Sequence, residues 1–326
     1  MRYFKNSITF VLSFLMGLFF IEIYFQVSEI ATTSTEVKDQ ILGSKLVSGK
    51  KYLFHNEGFS IGSINNLGYY GKLYNKDNSK DSVKIALVGD SYVEAIQVFE
   101  RHHFGYKLEK LLNNSGYNSQ VLNFGRSGFN LIDSYCYYEN FIKDFNTDLN
   151  IIFISPGDLV PRGEVKNRPN VYMSNGELKI DYTPNAKVDT KFDFLRGKSI
   201  LLSYANRTIK KITSRKKITS EENKNILFEL SDVQKKIILN FNNNNFIFVI
   251  HNESLSREYD YLLDEFIDFS KKNNIEVIDL KDLFSYLRKR KINFNYWPLK
   301  KIKGHFNHNG HNEIANYLFP IIKNKN

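Results

Sequence analysis

Apolar positions in this chain form one long N-terminal run, then short runs set between helical patterns. Ile8–Ile21 is interrupted only by Thr9, Ser13 and Gly17, and after Glu22 the apolar character resumes through Ile23, Tyr24 and Phe25 to Val27. A run of this length behind Arg2 and Lys5 can serve as an export signal or cross a bilayer. Glu29-Ile30-Ala31 puts a charge where a cleavage site needs a small residue. The pattern therefore predicts an uncleaved signal anchor over residues 6–27, with 1–5 cytoplasmic and the remainder on the extracytoplasmic side. Nothing later in the chain is apolar for long enough to span again.

Residues 28–80 are polar and turn-rich and read as a stalk with an irregular lead-in. Strands are then predicted at Val83–Val88, Gln120–Phe124, Leu149–Ser155, Asn245–His251 and Glu276–Leu280. Helical spacing falls between them, at Phe104–Leu112, Leu131–Phe145, Glu222–Asn240 and Glu258–Asn273, and again at Asn312–Lys323. Continuous apolar strands alternating with helices argue for an α/β fold, a mostly parallel five-stranded sheet covered on both faces. In such sheets active groups gather at the carboxyl edge of the strands. Ser91, Gly128 and Gly157 each fall just past a predicted strand.

The rhythm breaks at about 160–225, which reads as an insertion. Tyr172–Tyr182 carries Asn175-Gly176 between short runs, a hairpin signal. Arg196–Lys217 sets eight basic residues around an apolar stripe, a basic amphipathic helix that suits an anionic surface or, more plainly, a solvated face.

Composition changes this picture little. The apolar share of 42% and charged share of 25% are those of a globular protein. The formal net charge of +10 comes with abundant Asn and Lys, so it points only weakly to a polyanion. With an export signal, a nucleic-acid partner is not expected. A single cysteine, Cys136, excludes an intramolecular disulfide framework and a Cys-rich zinc site. It falls in a predicted helix, where a small buried side chain is the plain reading.

A serine after a buried strand and a glycine sits on a tight turn, its hydroxyl exposed and its N–H free for an oxyanion. Gly89-Asp90-Ser91-Tyr92 fits, though three such residues also make a good helix cap. Ser91 needs a base, and three of the seven histidines cluster at His305, His308 and His311, ahead of the last helix. His305 is the candidate general base. The spacing of the three also invites a metal, but no cysteine or carboxylate nearby completes a shell, so neither metal nor cofactor is expected.

These blocks, in this order, resemble the SGNH (GDSL-like) hydrolase family. The likeness runs from about Ile85 to the C-terminus, outside the insertion. Its pieces are Leu87-Val88-Gly89-Asp90-Ser91-Tyr92, then Asn123-Phe124-Gly125-Arg126-Ser127-Gly128, then His305-Phe306-Asn307 with Gly310-His311. Asn65-Asn66-Leu67-Gly68-Tyr69 also looks like the lead-in of membrane-anchored members. The resemblance implies a flavodoxin-like three-layer α/β/α domain over 81–326 and a serine esterase or O-acyltransferase. Ser91 would be the nucleophile, His305 the base, and the Ser91 and Gly128 N–H groups oxyanion donors. Asp90, Asp158 and Asn307 would be supporting residues.

Two departures stand out. The family's third block supplies an Asn as oxyanion donor, and Ser155-Pro156-Gly157-Asp158 has Gly157 there. Its last block carries an Asp shortly before the His, where this chain has Ile302 and Lys303. A Ser91–His305 dyad is the resulting expectation, with Asp158 or Asp279 as candidate substitutes for the missing carboxylate. The implied substrate is an acyl ester on an extracytoplasmic glycan. The basic residues Arg288, Lys289, Arg290, Lys291, Lys300, Lys301 and Lys303 would suit an acidic one. A protein with a degenerate site that binds glycan or scaffolds polysaccharide assembly is the alternative.

Overall fold

The computed structural model describes residues 2–28, 35–74, 82–161, 168–183, 199–203, 205, 228–242, 245–252 and 259–325. Five strands form the central sheet: β5 (Val83–Gly89), β6 (Ser119–Gly125), β7 (Leu149–Ile154), β10 (Phe246–Ile250) and β11 (Val277–Asp279). Their spatial order is β11-β10-β7-β5-β6, every pair parallel. Counted within the sheet this is 2-1-3-4-5, the flavodoxin-like order.

Strand periodicity divides the core. Ile85, Leu87, Ile151, Phe153, Ile247 and Val249 face one layer, and Ala86, Val88, Ile152, Ile154, Phe248 and Ile250 the other. Helices α3 (Phe104–Asn114), α7 (Lys281–Lys289) and α8 (His308–Lys323) cover the first face. Helices α4 (Leu131–Asn140), α5 (Asp232–Asn242) and α6 (Asp260–Lys272) cover the second, with Cys136 buried among them. Register pairs Gly89 with Gly125 and Ile250 with Ile154, so the carboxyl ends of these strands lie nearly level.

Several boundaries differ from expectation. The helix expected over Leu131–Phe145 stops at Asn140 and tightens into a 3-10 turn, Ile142–Phe145, closed by Asn146 in the left-handed region (φ 48°). The helix expected from Glu222 begins at Asp232, because Ser231 and Gln234 form a reciprocal cap through their side chains. The last helix begins four residues early, capped by Asn307. Lys281–Lys289 was not foreseen as a helix. The hairpin is present as β8 (Asn170–Ser174) and β9 (Glu177–Asp181). The basic helix expected over Arg196–Lys217 falls almost wholly outside the described residues.

The stretch read as stalk and lead-in contains two antiparallel hairpins, β1 (Glu36–Asp39) with β2 (Gly43–Leu46), and β3 (Lys51–Phe54) with β4 (Ser60–Ser63). Leu46, Ile64 and Tyr70 bury a small core of their own. A bridge from Tyr70 to Ile64 closes the lobe, and one from Tyr70 to Asn123 of β6, with Tyr69 buried in the main core, docks it on the edge of the main sheet. Ahead of it, helix α1 (Arg2–Ser28) contains Asn6–Val27, a 22-residue segment long and apolar enough to cross a membrane and nowhere buried.

Candidate active site

The turn after β5 makes the first half of the site. Asp90 caps a one-turn helix, α2 (Ser91–Glu94), its Oδ1 accepting from Tyr92 N–H at 2.8 Å. Ser91 opens that helix, and its Oγ lies 2.7 Å from His305 Nε2. The serine and histidine expected to meet do meet.

The imidazole is not left as half of a dyad. His305 Nδ1 lies 2.9 Å from each carboxylate oxygen of Glu57, and His305 N–H donates to Glu57 Oε2 at 3.0 Å. Glu57 belongs to the turn between β3 and β4. A carboxylate offers only acceptors here, so Nδ1 carries the proton and Nε2 presents its lone pair to the serine hydroxyl. Gly304 makes room for this approach, since a Cβ there would stand 2.6 Å from the Glu57 carboxyl carbon. Trp297 Nε1 donates to His305 O at 3.0 Å, and the Tyr92 ring packs 4.6 Å from the imidazole.

The candidate substitutes for the missing acid have other tasks. Asp158 Oδ2 accepts from Ser155 N–H and Oγ, each at 2.8 Å, and Asp279 Oδ1 accepts from Lys281 N–H. Neither is hydrogen-bonded to His305. Asn307 caps α8 through Oδ1, accepting from Asn309 and Gly310 N–H. Gly157 lies in the 3-10 turn after β7, and a Cβ there would meet only Ser155 Oγ, at 3.9 Å. The turn thus carries no side-chain donor where the resemblance wants Asn.

The electrostatics separate His305 from its neighbours. Burial works to lower its pKa, but the Glu57 hydrogen bond and charge, with Asp90 and Glu94 behind, carry it above the usual 6.5. Glu57 is held below its usual range: burial opposes ionisation, and the bonds to His305 outweigh it. Burial drives Asp90 up to about 6, and burial with the nearby Asp90 charge drives Asp158 well above 3.8. His251, just past β10, is pushed down to about 3 by burial and by the His305 charge. His103, pushed down to about 4, and His311, also lowered, are likewise kept neutral by burial. Among the described residues no three His, Cys, Asp or Glu side chains converge as a metal site.

Glu57 escaped the sequence reading because it sits 248 residues from its partner, in a stretch without strong periodicity. Its local signal was slight, a Glu-Gly pair in a turn.

No family model and no curated protein sequence matches this chain. Solved structures do. It is similar to an acetyl xylan esterase, AlAXEase, at 15% identity and TM-score 0.39, over 74% of this chain and 100% of that one. It is similar to a lipase/acylhydrolase from Enterococcus faecalis at 12% identity and TM-score 0.44, over 74% and 96%. An acetylxylan esterase from Geobacillus stearothermophilus aligns at 14% identity and TM-score 0.40, over 75% and 95%.

Proposed function

We propose that this chain is a serine esterase or O-acyltransferase using Ser91, His305 and Glu57. The observation that carries it is the continuous relay from Ser91 Oγ to His305 Nε2 at 2.7 Å and from Nδ1 to the Glu57 carboxylate at 2.9 Å. Ser91 Oγ attacks the ester carbonyl as its proton passes to His305 Nε2, and the carbonyl π pair moves onto oxygen. The Ser91 and Gly128 N–H groups receive that oxyanion. Collapse expels the alcohol, which takes the proton from His305, and leaves an acyl-Ser91. Water or a second hydroxyl, deprotonated by His305, then takes the acyl group. Glu57 holds the tautomer and offsets the imidazolium charge.

The substrate we assign is an acyl ester, most simply acetyl, on a glycan outside the cytoplasm. The apolar α1 helix and the resemblance to membrane-anchored SGNH hydrolases support that placement. Exposed cations at Arg288, Lys289, Arg290, Lys300 and Lys301 would favour an acidic glycan. Gly157 favours a second reading, a site that binds glycan without turnover. Acetate release decides between them. Full-length protein in detergent should free acetate from an acetylated polysaccharide or a model ester, and Ser91→Ala should lower the rate by at least about 10³-fold. Equal rates for the two would sink the enzymatic reading.

A further inference from the structure

Arg168 has no part in the relay, yet it is hydrogen-bonded to the turn that carries Gly128. Its Nη1 donates to Gly128 O at 2.7 Å and to Asp133 Oδ2 at 2.7 Å. Asp133 is 3% exposed and forms the reciprocal cap of α4 with Asn130. Nη2 of the same guanidinium lies 3.5 Å from where a Cβ on Gly128 would stand, and the Phe129 ring is 5.7 Å away. The cation therefore lies over Gly128.

Gly128 has φ +72°, and a glycine left to itself moves readily between positive and negative φ. Its N–H belongs to the peptide shared with Ser127, whose hydroxyl donates to the buried carboxyl of Glu94. Glu94 ends the same one-turn helix that Ser91 begins. The Gly128 N–H is thus held from one side by the nucleophile's own helix and from the other by Arg168. With Gly157 contributing no side-chain donor, the site leans on the two backbone donors at Ser91 and Gly128. An error in the aim of either is felt in full.

We propose that Arg168 is a positioning residue of the oxyanion site. It fixes the Gly128 N–H toward the carbonyl attacked by Ser91, anchored by its own ion pair with Asp133. This rests on the serine acyl-transfer reading above. Loss of a whole oxyanion donor costs about 10²–10³ in kcat, so loss of its alignment should cost less.

The test compares wild type, Arg168→Lys and Arg168→Gln as full-length protein in detergent, with rates expressed per site titrated by a fluorophosphonate. On 4-nitrophenyl acetate, Arg168→Gln should lower kcat by about 10- to 100-fold with KM within about threefold. Affinity for a boronic acid, which forms an anionic tetrahedral adduct on serine, should fall in parallel with kcat/KM. Arg168→Lys should recover part of the loss. Misfolding alone would reduce the number of titrated sites and leave kcat per site intact. A kcat per site within twofold of wild type overturns the proposal, as does a rise in KM at constant kcat, which would make Arg168 a substrate anchor. Failure of the underlying reading looks different: wild type itself would have no titratable Ser91, and both would go together.

Discussion

Ser91 and Glu57 end the same hydrogen-bonded relay, yet they stand on different ground. Ser91 rises from the end of a central strand, with Ile85, Leu87, Ala86 and Val88 packed into two large apolar layers beneath it. Glu57 sits on a short hairpin in a lobe whose own core is Leu46, Ile64 and Tyr70, tied to the main domain by Tyr69 in the large core and by the Tyr70–Asn123 bridge to edge strand β6. The nucleophile is placed by the two largest apolar clusters of the fold and the orienting acid by one of its smallest. Local opening free energy scales with such burial. The two halves of one site should therefore respond unequally to perturbation.

Glu57→Gln should separate them most sharply. It keeps the shape but no longer requires Nδ1 to carry the proton, and kcat/KM should fall by about 10²- to 10⁴-fold. The wild-type acid limb should titrate above 6.5, since His305 must be neutral to accept a proton and its pKa is raised. Without the Glu57 charge, burial dominates and the inflection should move down, so the deficit should be smallest in acid. Stability follows the same pair. The raised His305 pKa stabilises fully below 6.5 and that contribution fades as pH rises through the folded value. The lowered Glu57 pKa stabilises above 4.5 and is lost as pH falls through its folded value. Thermal melts of wild type and Glu57→Gln should differ most between these limits. An unchanged pH profile would remove Glu57 from the relay.

Ile64→Ala and Ile151→Ala probe the two foundations by packing alone. Both side chains are at most 1% exposed, and each truncation should cost about 2–5 kcal/mol. Only the first should lower kcat several-fold in the fraction that remains folded, because it loosens the lobe bearing Glu57. Equal kcat losses would mean that the lobe and sheet behave as one body. The smallest effect is expected from Gly157→Asn, which returns an amide to a turn with room for a Cβ. A gain in kcat of up to about tenfold is expected, well short of a fully aligned donor. A fall would place the oxyanion elsewhere.

The same contrast explains what was legible in the chain. The strands were, because parallel strands buried on both faces read as continuous apolar runs, and Ser91, Gly128 and Gly157 could be placed at their ends. His305 was legible through its place before the last helix. Helix starts were less so: Ser231 and Asn307 set them by side-chain caps that apolar spacing does not register. The four-residue strands of the lobe are half exposed and carry little periodicity. Glu57 was hidden with them, since a carboxylate 248 residues from its histidine becomes a partner only through tertiary docking.

The most direct measurement is covalent labelling of the full-length protein by a fluorophosphonate, followed by peptide mass mapping. Labelling confined to Ser91, abolished in His305→Ala and slowed at least about tenfold in Glu57→Gln at pH 8, is what the relay requires. An unlabelled Ser91, or equal labelling rates in all three proteins, would contradict it.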